Sequence, residues 1–109
     1  MGVPEIDPRE VAELGASGAV LVLDVREPEE WAAGRIAGAT HLPLGELGAR
    51  YQELPKDRRI VAVCRSGARS GQATSALNGA GYDVVNMRGG MKAWQAAGLP
   101  IDPPGGVVV

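Results

Sequence analysis

The chain has 109 residues, a mass of 11.3 kDa and a formal net charge of −2, the size of one ordinary domain. Hydrophobic residues at 45% and charged residues at 22% give a globular composition, not a disordered one. No run of about 18 apolar residues is present to span a membrane, one cysteine excludes an internal disulfide or a multi-cysteine metal or redox pair, and one histidine leaves no cluster for zinc.

The amino terminus, Met1-Gly2-Val3-Pro4-Glu5, lacks a basic segment followed by an apolar one, so no secretory leader is expected. Ile6 stands where a myristoylation signal needs serine or threonine. The pI near 5.3 argues against a general nucleic-acid footprint. These exclusions lead to the expectation of a soluble, cytoplasmic domain with one thiol, without nucleic-acid or membrane partners.

Residues 3–6 are expected to form a short strand. Asp7-Pro8-Arg9-Glu10 then opens a helix, with Asp7 as N-cap, Pro8 at the first helical position and Glu10 reaching back in a capping box. Ile6 and Val11 stand where a hydrophobic staple would close. The run Ala19-Val20-Leu21-Val22-Leu23 predicts a strand leading into Asp24. Pro28-Glu29-Glu30-Trp31 opens a short helix with acidic residues in its first turn. Thr40-His41-Leu42 predicts another short strand, and residues 44–54 a helix weakened by Gly45 and Gly48.

Ile60-Val61-Ala62-Val63 predicts a strand leading into Cys64. A helix over residues 70–80 follows, with Ala73, Ala76, Leu77 and Ala80 on one face. Gly81 suits the left-handed position beyond its end, with Tyr82 folding back on Leu77. Tyr82-Asp83-Val84-Val85 predicts a strand leading into Asn86, and residues 90–97 a last helix with Met91 and Trp94 inward, ended by Gly98 and Pro100. The domain is expected over residues 1–100, with 101–109 a loosely ordered tail.

Strand and helix alternate throughout, and the near-continuous apolar strands suit burial on both faces, so the class is α/β with a mostly parallel sheet. Ligands in such folds bind beyond the carboxyl ends of the strands. That rule selects Asp24, Cys64 and Asn86, with Arg26, Arg65 and Arg88 one or two residues later.

The densest chemistry is Cys64-Arg65-Ser66-Gly67-Ala68-Arg69-Ser70, between a buried strand and a helix start. Such a loop can curl so that successive backbone N–H groups converge into an anion nest, and the helix dipole adds positive potential. Gly67 permits a tight or left-handed turn, and Arg69 and Arg65 add full charges. A thiol at its centre is expected to be substantially thiolate at neutral pH. A lone cysteine ending an apolar strand ordinarily packs; two arginines, a glycine and a helix start beside it point instead to a nucleophile acting on an anionic substrate.

These residues resemble the active loop of single-domain rhodaneses, the rhodanese-like sulfurtransferases. Leu23-Asp24-Val25-Arg26-Glu27-Pro28 with Glu30-Trp31 resembles that family's first signature. Gly34-Arg35-Ile36-Ala37-Gly38-Ala39 with Leu42-Pro43-Leu44 resembles its second, and Arg88-Gly89-Gly90-Met91-Lys92-Ala93-Trp94 its last. The segments recur in family order from Asp7 to Pro100. Arg35 stands where the family more often has histidine. Four residues separate Cys64 from Arg69, one fewer than in the wider phosphate cradle of cysteine phosphatases and arsenate reductases.

The resemblance implies a three-layer fold, a central sheet of about five strands flanked by helices on both faces. It also implies a double displacement: Cys64 takes a sulfane sulfur from a small anionic donor such as thiosulfate, holds it as a persulfide and passes it to a thiol or protein acceptor, or to cyanide in vitro. Arg65, Ser66, Gly67, Ala68 and Arg69 are the expected substrate-binding loop, with Asp24, Arg26 and Ser70 supporting it, and no metal or organic cofactor. Arg69 is expected to brace the loop or pair with the donor, and Asp24 to accept hydrogen bonds from loop amides or Arg26. Ser66 either meets the persulfide or stabilises the turn. His41 is expected to be a surface or loop imidazole, and Trp31 and Trp94 packing residues. The alternative functions are a persulfide carrier or sulfur-sensing module with little turnover, and a small-anion reductase or phosphatase, against which the short loop argues.

Overall fold

The chain, described by a computed structural model over residues 2–109, folds in the order β1 (Glu5–Ile6), α1 (Pro8–Ala16), β2 (Val20–Asp24), α2 (Pro28–Ala33), β3 (Thr40–His41), α3 (Leu44–Arg50), a 3₁₀ turn (Tyr51–Glu53), β4 (Arg59–Val63), α4 (Ala68–Gly79), β5 (Val84–Met87) and α5 (Gly90–Ala96). The five strands form one sheet in the order β1-β5-β4-β2-β3, and every pairing is parallel. The central position of β4 places its carboxyl end, and hence Cys64, in the middle of the sheet's edge.

Side chains alternate across a strand, and two apolar clusters follow from that parity. Leu21, Leu23, Ile60, Ala62 and Val84 pack with Leu47, Ala73 and Leu77 of α3 and α4. Val20, Val22, Val61, Val63, Val85 and Met87 pack with Val11, Met91 and Trp94 of α1 and α5. Helices therefore cover both faces, which is why the strand sequences read as unbroken apolar runs.

Several local readings change. Asp7 caps α1 without a side-chain hydrogen bond, and the capping box lies instead at α2, where Glu27 and Glu30 exchange bonds with each other's backbone. Ile6 and Val11 do share one apolar cluster. The third helix stops at Arg50 and tightens into the 3₁₀ turn. The last strand starts two residues later than its apolar run suggests. The Tyr82 N–H bonds Leu77 O at 3.0 Å in the turn closing α4, where Gly81 has φ +93°. Asn86 thus lies inside β5 rather than beyond it.

Residues 101–109, expected to fray, are laid against the domain. Arg35 and Asp102 exchange backbone hydrogen bonds at 2.9 and 2.8 Å, the Val107 N–H bonds Ala33 O at 2.9 Å, and Val108 packs on the α1–α5 side. Gly34 has no Cβ to obstruct this; one there would stand 2.5 Å from Val107 O. Backbone pairing and an apolar contact are the terms that offset the entropy of ordering a terminus.

Candidate active site

Strand parity puts Cys64 on the α4 side of the sheet, with Ala62 two residues before it. Asn86 pairs in register with Ala62, and so faces the same side one strand over. The chain then turns at Gly67, whose φ of +105° is the left-handed conformation that glycine adopts without a Cβ penalty, and α4 begins at Ala68.

That turn wraps donors around the sulfur. The Gly67 N–H bonds Cys64 Sγ at 3.0 Å, and Ser70 Oγ lies 3.3 Å from it. The peptides are oriented from the other side: Cys64 O and Arg65 O accept the Met91 and Lys92 N–H groups of α5 at 2.8 and 3.0 Å. A trans peptide points its N–H opposite to its carbonyl, so the Arg65 carbonyl drawn toward α5 turns the Ser66 N–H back toward Sγ. Cys64 is only 1% exposed. Burial pushes its thiol up, but the Ser70 hydroxyl and the N–H groups of Ser70, Gly67 and Ser66 outweigh it and hold the thiol below its ordinary range.

The arginines divide into distinct environments. Arg65 is exposed at the rim and its guanidinium makes no ion pair among the described residues. Ser66 and Ala68 are exposed beside it. Arg88 is paired with Asp7 and Glu5. Arg26 is wholly buried against Asp24, donating to Oδ2 from Nη2 at 2.7 Å and to both carboxylate oxygens from Nε at 3.0 Å. Its Nη2 also bonds Gly34 O at 2.8 Å, while Nη1 has no hydrogen-bond partner among the described residues. Asp24 thus accepts from Arg26, not from the cysteine loop.

Arg69 is held by a residue that the sequence reading did not assign to it. Its Nη1 and Nη2 donate to Glu30 Oε1 and Oε2 at 2.7 and 2.9 Å, a bidentate fork joining α4 to α2. Arg69 chiefly, helped by the Glu27 N–H against the opposing cost of burial, holds the Glu30 carboxyl down at about 2. A folded value below the ordinary 4.5 contributes stability that is present above pH 4.5 and lost as pH falls through about 2. Glu30→Gln is expected to cost ~1 kcal/mol or less at neutral pH, since the pair is partly solvated, and to flatten the acid limb of stability across that window. Urea unfolding midpoints measured against pH check this; an unchanged acid limb would count against the ion pair.

Trp31 is half-buried rather than a core residue. It stacks on His41 at a centroid distance of 4.7 Å and carries the Arg35 guanidinium 5.1 Å above its ring. His41 Nε2 lies 2.8 Å from Arg26 O, to which it donates. Arg35 also reaches Asp102 at 3.7 Å. Trp94 is in the core, with its Nε1–H bonding Pro100 O at 2.8 Å. Among the described residues no three His, Cys, Asp or Glu side chains converge as metal ligands would, and no helix is long and apolar enough to cross a membrane. Two apolar clefts, of about 380 and 480 Å³, lie between α3 and α4 and beside α1 and β2; neither is lined by the cysteine loop.

Two further parts of the site have roles that the sequence reading did not assign, although it had picked out Asn86 as a strand end. Asn86 bonds both Gly67 O and Ser70 Oγ; its polar amide within an apolar strand, at Val84 parity, was the available signal. The α5 amino terminus at Gly90 supports the loop carbonyls, which only the folded arrangement reveals.

Comparison with known proteins bears on the fold and the family. Residues 7–97 match the family described as Rhodanese-like domain. A protein named Sulfurtransferase from Allochromatium vinosum is 46% identical over 106 residues, covering 95% of this chain and 99% of that one. A rhodanese-related protein from Thermoplasma volcanium superposes with a TM-score of 0.85 at 33% identity, covering 90% of this chain and 96% of that one. A thiosulfate sulfurtransferase from Pseudomonas aeruginosa superposes with a TM-score of 0.83 at 30% identity, covering 92% of this chain but 20% of that one. On fold, order of motifs and sequence, the chain belongs to the rhodanese-like domain family of sulfurtransferases.

Proposed function

We propose that the chain moves a sulfane sulfur from thiosulfate, or a donor of the same kind, to a thiophilic acceptor through a persulfide on Cys64. The observation that carries this reading is the cradle itself: Sγ accepts the Gly67 N–H at 3.0 Å at the mouth of an α-helix, with Arg65 exposed at the rim and without an ion pair among the described residues. The activity named for the Pseudomonas relative supports thiosulfate as the donor.

The Cys64 thiolate attacks the outer sulfur of thiosulfate. The new S–S bond forms with the thiolate's electron pair, and the old S–S bond breaks with its pair leaving on sulfite. The persulfide's outer sulfur carries the negative charge, and loop N–H groups stabilise it as an oxyanion hole stabilises oxygen. Cyanide, or a thiolate, then attacks that outer sulfur and returns Cys64 as thiolate. Arg65 attracts the donor and the departing sulfite, with Ser66, Gly67, Ala68 and Arg69 shaping the cradle. With one cysteine in the chain, the acceptor must come from outside. A cytoplasmic setting would keep Cys64 reduced and supply that thiol.

Intact mass after mixing with thiosulfate tests the proposal. A gain of one sulfur atom, removed by cyanide and missing in Cys64→Ser, is the expected result. Full thiosulfate-to-cyanide turnover by Cys64→Ser would overturn it. A persulfide that forms but turns over slowly would move the reading to a carrier.

A further inference from the structure

Asn86 has no part in the reaction as written, yet it is 2% exposed and lies directly behind the sulfur. A buried amide in an otherwise apolar strand, Val84-Val85-Asn86-Met87, is costly unless its atoms are paired. Its Nδ2 donates to Gly67 O at 3.0 Å and lies 3.4 Å from Glu5 Oε2. Both partners are acceptors, so they fix the amide with nitrogen toward them and Oδ1 toward Ser70. Asn86 Oδ1 stands 2.6 Å from Ser70 Oγ, and that same Oγ stands 3.3 Å from Cys64 Sγ. A hydroxyl has one proton, and here two acceptors face it.

We propose that Asn86 is a positioning residue that competes with Cys64 Sγ for the single hydroxyl proton of Ser70, the winner changing with the state of the sulfur. The proposal builds on the Cys64 reading above. When Cys64 is protonated or carries a sulfane sulfur, Sγ has no charge, and Ser70 donates to Asn86. When Cys64 is a thiolate, the full charge draws the hydroxyl to Sγ, and Asn86 Oδ1 is left buried without a donor. No proton leaves Ser70 Oγ; only its direction changes. The unpaired oxygen penalises the thiolate alone. Asn86 therefore keeps the thiolate less stabilised, hence more nucleophilic, and favours the loaded enzyme. The charges facing this group are Arg69 from α4 and Glu5 from β1, and both stay in place in the variants below.

The test is a thiol titration, read by thiolate ultraviolet absorbance and by the rate of alkylation with iodoacetamide. Asn86→Leu fills the space without an acceptor. It is expected to raise the Cys64 ionisation constant by about three- to tenfold, the worth of one hydrogen bond, and to lower the thiolate's intrinsic alkylation rate. Ser70→Ala is expected to move the constant the other way, and adding Asn86→Leu to Ser70→Ala to change it no further. An equal shift in the Ser70→Ala background would show that Asn86 acts through loop shape at Gly67, and would overturn the proposal. The wild-type protein supplies a measurement that needs no variant to fold: the Asn86 Cγ resonance should move as Cys64 titrates, while the Nδ2 protons on Gly67 O stay. A Cγ that does not move also overturns it. Titration needs no sulfur donor, so failure of thiosulfate to load Cys64 would sink the proposed function and leave this test standing.

Discussion

Asp24→Ala is expected to lower stability by about 3–5 kcal/mol, the cost of stranding a buried charge. Arg26 has no exposed surface and already holds one buried nitrogen without a partner, so losing the carboxylate leaves only Gly34 O against the guanidinium. Asp24 also accepts the Arg26 N–H at 3.0 Å, which sets the turn between β2 and α2. The effect reaches the site: in that turn the Val25 N–H bonds Val63 O at 2.9 Å, on the residue just before Cys64. Urea unfolding measures the loss. Asp24→Ala with Arg26→Met is expected to lose less than Asp24→Ala alone, because the orphan charge is gone. A single-variant loss below about 1 kcal/mol, the range of a surface pair, would show that Arg26 finds water or another acceptor.

That ion pair was legible because its members are two residues apart at a strand end, where a carboxylate needs a partner. The cysteine loop was legible for the same reason: strand, cysteine, glycine and helix start lie in one short segment. The sheet was legible through apolar runs, although β5 is displaced because the Tyr82 backbone closes α4 instead of joining the strand. The Arg69–Glu30 fork joins residues 39 apart, and no local pattern encodes it. Glu30 read as an acidic residue at a helix start, which it also is, since it completes the capping box of α2. The stack of Arg35, Trp31 and His41 likewise depends on the second short strand being brought beside α2. Asn86 was noticed for its place in the chain, but its role needs the β4–β5 register, which sets it beside Ala62 and behind the sulfur.

The Gly89-Gly90 pair shows how the last segment of the chain completes a loop made much earlier. Gly90 has φ +62°, and a Cβ there would lie 2.5 Å from Cys64 O and 2.6 Å from Arg65 C and O. These are backbone atoms that cannot swing aside, and the two carbonyls are the ones that accept the Met91 and Lys92 N–H groups, the second of them in the peptide whose Ser66 N–H faces Sγ. Gly90→Ala must therefore push the loop away from α5 and misalign the donors around the sulfur. The expected result is a loss of sulfur-transfer rate on the order of 100-fold, the scale of an ångström-sized misplacement of a reacting group, with a higher Cys64 ionisation threshold as N–H contacts lengthen. Gly98→Ala separates this from backbone strain: its φ of +73° is similar, but nothing lies within 4 Å of the added methyl. That variant should lose about 1–2 kcal/mol of stability and keep its rate. If Gly90→Ala behaves like Gly98→Ala, the loop is held by its own sequence and the α5 contact is incidental. If the rate falls only in Gly90→Ala, the thiolate cradle is a joint product of Gly67, which turns the chain around the sulfur, and Gly90, which lets α5 approach closely enough to orient the peptides.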